Sequence, residues 1–264
     1  MRHPAPPFEI LLEDDHLIAL VKPAGLPTAN AAKGADSIFT LLQSTRPRGS
    51  FLGVVSRLDA PVSGVLVLAK TRTAAADLAR QFRERSVDKR YAAVVEGRFP
   101  APLDRWVEWH DTIRRQDGGD AADSGDGAER DAADDEGKPA HVRARVVRRA
   151  GEVSLVELEP TTGRRHQLRQ QLSFRRCPIV GDRRYGSRLP LDKRLPLDNG
   201  LPLDNRLPVD PRPSAGPRHG GGIALHAASL SLDHPSTGER LLLEAPLPAA
   251  WRTRFPALFA KRYR

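Results

Sequence analysis

A chain of 264 residues with 39% hydrophobic content is long enough for one large domain or two small ones, each with a buried core. No apolar run approaches the roughly 20 residues that span a bilayer, and the opening MRHPAPPFEI has no apolar secretion core. The single cysteine, Cys177, rules out an intrachain disulfide, so the expectation is a protein of the reducing cytoplasm.

Lysine and arginine total 42 against 33 acids, a formal +9, but nine acids and one arginine crowd between Asp117 and Glu136. Setting aside that stretch's net −8 leaves +17, enough to attract a polyanion and make its binding salt-sensitive. Only seven of the basic residues are lysine, so an arginine-rich composition accounts for part of the excess.

In chain order, Phe8–Glu13 and Leu17–Val21 read as two strands joined at Asp14-Asp15. Asp36 or Ser37 caps a short helix with Ile38, Leu41 and Leu42 on one face. Val62–Ala69 is a nearly continuous apolar run interrupted by Gly64, suited to a buried strand. Thr71 caps a helix reaching about Arg85, with Ala75, Leu78 and Phe82 spaced for its inner face. Arg90–Val95, Val142–Val146 and Val153–Leu158 alternate as strands, and Gly163 to about Arg175 reads as a helix with Leu168 and Leu172 inward. Ile223–Leu232 and Arg240–Glu244 supply late strands. Strands outnumber helices and often follow one another, so the predicted class is α+β with a mostly antiparallel mixed sheet and flanking helices.

Two stretches fall outside this pattern. Residues 116–136 are Asp, Gly and Ala with no larger aliphatic and no aromatic side chain; they cannot bury enough surface to offset ordering and are expected to form a disordered acidic insert. Residues 188–222 begin with the six-residue repeat RLPLDK, RLPLDN, GLPLDN, RLPVD, whose prolines forbid both helix and paired strand. The domain expectation is one unit over 1–264 carrying both inserts.

Most catalytic signatures are missing. There is no phosphate-cradling GxxxxGK loop and no GxGxxG after a strand. His219 precedes three glycines, but no GxSxG elbow accompanies it. Eight scattered histidines without HExxH and one cysteine offer no metal cluster, so neither metal nor cofactor is expected. Three polar clusters set against apolar strands remain. Ser56-Arg57-Leu58-Asp59 places a charge pair at the mouth of the buried strand, where an Asp ordinarily closes a turn. Lys89-Arg90-Tyr91 puts Tyr91 on the strand face of Ala93 and Val95, where a core-edge aromatic is the simpler reading. Gly163 through Arg169 sets His166 and Arg169 one helical turn apart beside Leu168 and Leu172, which taken alone is an exposed basic face.

Together these segments resemble the RluA-like RNA pseudouridine synthases. SRLDAPVSGVLVLAK is similar to that family's HRLDxxTSGLLLLAK, KRYAAVVEG to KxYxAxVxG, and TTGRRHQLRQQLSFRRCPIVGDRRYG to TGRxHQIRxHLxxxGxPIxGDxxYG. LLEDDHLIALVKPAGLPT resembles the family's opening, and the likeness covers most of Phe8–Tyr185 outside the acidic insert, plus IALHA at Ile223–Ala227. Ser56 stands where the family usually has His, Val62 replaces a common Thr, and Gln171 replaces a His. The N-terminal RNA-binding domain usual in the family is expected to be absent, leaving RNA binding to the catalytic domain or the inserts.

The resemblance implies isomerisation of a uridine in ribosomal or transfer RNA by a cofactor-free monomer. The N1–C1′ bond breaks, the base turns and rejoins through C5, with no redox change and no net hydrolysis. It implies Asp59 as the catalytic carboxylate, Arg169 as the cation that keeps it charged and aimed, and Tyr91 packed on the uracil and assisting proton transfer from C5. Arg57 is implied to hold an extruded nucleotide, with Lys22, Arg164, His166 and Gln167 as supporting substrate-binding residues. Two other classes compete: a noncatalytic RNA-binding protein, and a glycosidic hydrolase needing a second acid such as Glu157 or Asp182.

Overall fold

The computed structural model describes residues 8–29, 35–114, 137–191 and 222–260. The acidic insert at 116–136 and all but the ends of the proline-rich insert lie outside the described residues.

Strands β1 (Ile10–Glu13) and β2 (Leu17–Lys22) form the expected hairpin. Its turn is closed by Asp14, whose Oδ1 accepts from the backbone N–H groups of His16 and Leu17. Ser37, not Asp36, caps α1 (Ile38–Ser44), because Ser37 and Thr40 exchange reciprocal side-chain bonds with each other's backbone N–H. After the short β3 (Gly53–Val54), all seven residues of β4 (Ser63–Ala69) are buried.

The reason for that continuous apolar run is cover on both faces. Leu17, Ala19, Val65 and Val67 pack beneath α2 (Arg72–Glu84), while Ile18, Leu20, Leu66 and Leu68 pack against Ile38 and Leu42 of α1. Full burial of each such aliphatic side chain contributes roughly 1.5–3 kcal/mol, which a one-sided strand could collect only at alternate positions. Thr71 caps α2 as expected, but the helix is rotated from the anticipated face: Ala74, Leu78 and Gln81 are buried, and Ala75 and Phe82 only partly so. The cause is Gln81, whose amide donates to Asp233 O and accepts from Asp233 N, so a polar clasp sets the rotation.

Strand β5 (Asp88–Glu96) is followed by β6 (Val107–Ile113), β7 (Lys138–Ala150) and β8 (Val153–Pro160). Strand β6 was not foreseen. Its sequence VEWHDTI buries only Trp109 and Ile113 and carries Glu108 and His110 on the solvent side. Then come α3 (Gln167–Phe174), a 3₁₀ turn at Arg183–Tyr185, β9 (Leu225–Asp233), β10 (Arg240–Glu244), α4 (Ala249–Arg254) and α5 (Pro256–Phe259). No helix among the described residues is long and apolar enough to cross a membrane.

The fold is α+β, built on one ten-stranded sheet in the order β1-β2-β4-β9-β5-β8-β7-β6, with β10 beside β9 and β3 beside β4. Its named strand pairs are antiparallel except at the centre, where β4 and β9 run parallel through two residue pairs, Ser63 with His226 and Gly64 with Ala227. Beyond this seam β4 turns to β3 and β9 to β10, so the two strands part. The approach at the seam leaves no room for a side chain: a Cβ on Gly64, whose φ is +119°, would lie 2.2 Å from Ala227 O.

Candidate active site

The segment before β4 is fastened from beneath. Lys22 is fully buried and donates from Nζ to the carbonyls of Pro23, Leu26 and Ala60 at 2.9, 2.7 and 3.1 Å. Thr28 Oγ1 donates to Leu58 O and accepts from Leu58 N. With Asp59 O accepting from Val62 N, these bonds fix the backbone on both sides of Asp59 and lay its carboxylate on the floor of a cleft. Lys22 therefore does not line the cleft. It braces the loop that presents Asp59.

The cleft, about 500 Å³, opens beside the seam where β4 and β9 part. Val62 and Val65, Leu225 and Ala227, Tyr91, and Leu168 supply its apolar surface. Arg57, Arg83, Arg85, Lys89, Arg164 and Arg169 bring positive charge, and among the described lining residues Asp59 is the one acid.

The helix expected from Gly163 begins only at Gln167. His166 adopts a left-handed backbone, φ +54°, and stands outside α3. The anticipated exposed basic face is also absent, since Gln167 through Leu172 are all buried. Each polar member of that run meets a partner, which is what makes its burial tolerable. Gln167 accepts from Thr162 Oγ1 and Arg164 N and donates to His141 O, tying down the 161–164 loop. Gln171, at the family's His position, donates to Asp111 and Ala140 O beneath the site.

Arg169 is shared between two carboxylates. Its Nη1 donates to Asp59 Oδ2 at 3.2 Å, while Nε and Nη2 donate to the two oxygens of Asp182 at 2.7 and 2.9 Å. Burial alone would push the guanidinium down, but the hydrogen bonds and charge of Asp182, then of Asp59, hold it above the ordinary arginine range. Its plane lies over the ring of Tyr185, 5.0 Å from the centroid. The Tyr185 hydroxyl and His166 Nδ1 are hydrogen-bonded at 2.9 Å, and His166 Nε2 is 3.7 Å from Asp59 Oδ2. Asp59, Arg169, Tyr185 and His166 thus form a closed ring anchored by Asp182.

Tyr185 was not foreseen as a member of the site, and Asp182, nominated only as the second acid of a hydrolase, instead anchors Arg169. Their signal was present in the GDRRYG end of the third matched segment. Of the expected residues, Asp59, Tyr91, Arg169, Arg57, Arg164, His166 and Gln167 line one cleft, while Lys22 does not. Tyr91 stands on β5 opposite Leu158 and Ala227, and burial, reinforced by the charge of Asp59, pushes its phenol well above the usual range. It faces the cleft as a neutral donor. Ser56 and Val62 also line the cleft, which makes the departures from the family pattern part of its surface.

A family model described as RNA pseudouridylate synthase matches residues 16–174. Ribosomal large subunit pseudouridine synthase C of Escherichia coli is 35% identical over 238 residues, covering 90% of this chain and 66% of that protein. Its namesake from Vibrio cholerae is 31% identical over 247 residues, covering 91% of this chain and again 66% of the relative, so the chain spans about two thirds of these relatives' length. Among solved structures, human RNA pseudouridylate synthase domain containing 4 has a TM-score of 0.65 at 26% identity, covering 97% of this chain and 95% of that one. Human RNA pseudouridylate synthase domain containing 1 shares the fold, with a TM-score of 0.62 at 22% identity over 98% of both chains.

Proposed function

We propose, for a chain that belongs to the RNA pseudouridylate synthase family, that it isomerises specific uridines to pseudouridine in RNA. Ribosomal RNA, named by its relatives, is the favoured substrate over transfer RNA. The observation that carries this reading is Asp59. It is a single carboxylate on the floor of a cation-lined cleft, held by an arginine that Asp182 locks in place.

The cleft suits a nucleotide taken out of its stack, an extrusion that costs a few kcal/mol in a duplex. The apolar wall and Tyr91 cover the faces of the base. Arg57 and Arg164 at the lining hold the backbone, and Asp59 is the group that reaches the sugar or the base. Asp182 fixes two edges of the Arg169 fork, so the remaining Nη1 points at Asp59 without reorganisation during the reaction. Arg169 acts through Asp59 and is a positioning residue, as are His166 and Tyr185. Tyr91, holding its proton, contributes a hydrogen bond and packing; its raised phenol disfavours service as the base that takes the C5 proton. The reaction balances without outside help: N1–C1′ breaks, C5–C1′ forms, C5 loses a proton to solvent and N1 gains one. The chain is proposed to work as a cytoplasmic monomer of one domain.

Hydrolysis of a glycosidic bond by two acids has less support. Both oxygens of Asp182 are taken by Arg169 in a nearly inaccessible position, and Glu157 is paired with Arg145 on the sheet face opposite Leu158 and Tyr91.

The test is tritium release from unmodified ribosomal and transfer RNA transcripts carrying C5-tritiated uridine, with wild type beside Asp59→Asn. Release by wild type and none by the folded variant is expected. Release by both would remove Asp59 from the mechanism, and binding of the transcripts without release by either would favour the noncatalytic RNA-binding alternative.

A further inference from the structure

The end of α2 and the start of β5 contribute Phe82, Arg83, Arg85 and Lys89 to the cleft lining. Arg85 ends α2 in a left-handed conformation, φ +62°, a position usually given to glycine. Lys89 is largely withdrawn from water, yet its Nζ donates to the neutral carbonyl of Thr162 and not to a carboxylate. Its cationic neighbour is Arg85, and burial followed by that repulsion pushes the ammonium down to about 8.

Acids are close at hand but committed elsewhere: Glu84 pairs with Arg80, and Asp88 with Arg240. Among the described residues neither Arg85 nor Lys89 has an ion-pair partner, in contrast to Arg90, Arg143 and Arg145 on the same sheet. Two like charges lining the cleft that holds Asp59 and Tyr91 are unfavourable in the free protein, and an anion between them would relieve the repulsion and the desolvation of Lys89.

We infer that Arg85 and Lys89 together seat a backbone phosphate of the RNA strand next to the nucleotide placed over Asp59. This deepens the proposed isomerase reading and rests on it. The C-terminal end of α2 opposes an anion with about half a negative charge, but the two side chains outweigh it. Thr162 O holds the Lys89 ammonium at the mouth of the 161–164 loop, so this seat and Arg164 draw on one structural unit. Contacts of this kind fix the strand's register without reading its sequence.

The experiment uses the full chain and an unmodified large-subunit ribosomal RNA transcript carrying C5-tritiated uridine. Arg85→Asn keeps a residue that tolerates the left-handed backbone, Lys89→Gln keeps a donor toward Thr162 O, and Lys89→Arg keeps the charge. Single-turnover release is followed against protein concentration, and filter binding of the same RNA against salt. Each neutral variant is expected to raise the half-saturating concentration about tenfold and to lower the salt slope by about one, additively in the double variant. Lys89→Arg should restore both to within about threefold, and the melting temperature of Lys89→Gln should not fall. Unchanged half-saturation and salt slope in the double variant would overturn the seat, as would a loss that Lys89→Arg does not rescue. Absence of release by wild type would instead strike the isomerase reading, and filter binding would still decide whether the two cations hold RNA.

Discussion

Replacing Arg169 with methionine removes the partner of two carboxylates that differ sharply in burial. The Asp59 side chain keeps 23% of its exposure, so its loss of a partner is screened by solvent and costs under about 1 kcal/mol. The Asp182 side chain keeps 1%, and among the described residues both of its oxygens are satisfied by Arg169 alone. A buried carboxylate stripped of its partner costs about 3–5 kcal/mol. In a domain of this size, a loss of that order lowers the melting temperature by roughly 2–4 °C per kcal/mol, hence about 6–20 °C. Adding Asp182→Leu should recover most of this, leaving a net cost within about 1–2 kcal/mol, because an apolar pair can replace a buried ion pair at little expense. The cycle of Arg169→Met, Asp182→Leu and the double variant, read by urea unfolding of the tryptophan fluorescence, should therefore show coupling of at least about 2 kcal/mol, larger by whatever Asp182→Leu costs alone. Tritium release should be lost in all three, since restoring stability does not restore the aim of Asp59. A double variant no more stable than Arg169→Met would refute the assignment of Asp182 as the buried anchor.

Gly64→Ala should destabilise the fold by about 3 kcal/mol or more, because its Cβ meets the Ala227 carbonyl at 2.2 Å and its φ of +119° is closed to alanine; a melting temperature within 2 °C of wild type, about the smallest shift one kcal/mol gives, would contradict the two-pair seam. RNA binding should weaken as pH rises through about 8, where Lys89 loses its charge. The charged and titratable groups lining the cleft with it are Arg57, Asp59, Arg83, Arg85, Tyr91, Arg164, His166 and Arg169, and Lys89→Arg should flatten this step in filter-binding assays. The same depression makes the unfolded chain the better proton binder between about 8 and the ordinary lysine value, so stability should rise with pH across that window. Urea midpoints that do not respond to Lys89→Gln there would remove the group from the balance.

The apolar runs Leu17–Val21 and Val62–Ala69 named their strands because a strand covered on both faces has to be hydrophobic throughout, a property visible in one dimension. Asp59, Tyr91 and Arg169 were legible for another reason: each sits in a long ordered segment resembling a known family, although no single segment showed what the three do together. Strand β6 escaped because its solvent face carries Glu108 and His110 and its pairing partner β7 lies across the acidic insert. The face of α2 was misread by about a quarter turn, since nothing local says that Gln81 will be clasped by Asp233 from 152 residues away. The largest difference was at α3. Gln167, Arg169, Gln170 and Gln171 look like surface residues on any hydropathy scale and are buried, because Thr162, His141, Arg165, Asp111, Asp59 and Asp182 bring them hydrogen bonds. Local sequence therefore determined where apolar surface had to be hidden and which residues carry the family pattern. Tertiary structure alone decided which polar groups could be hidden with it, because burial of a charge depends on a partner, and the partner of Asp59 is 110 residues away.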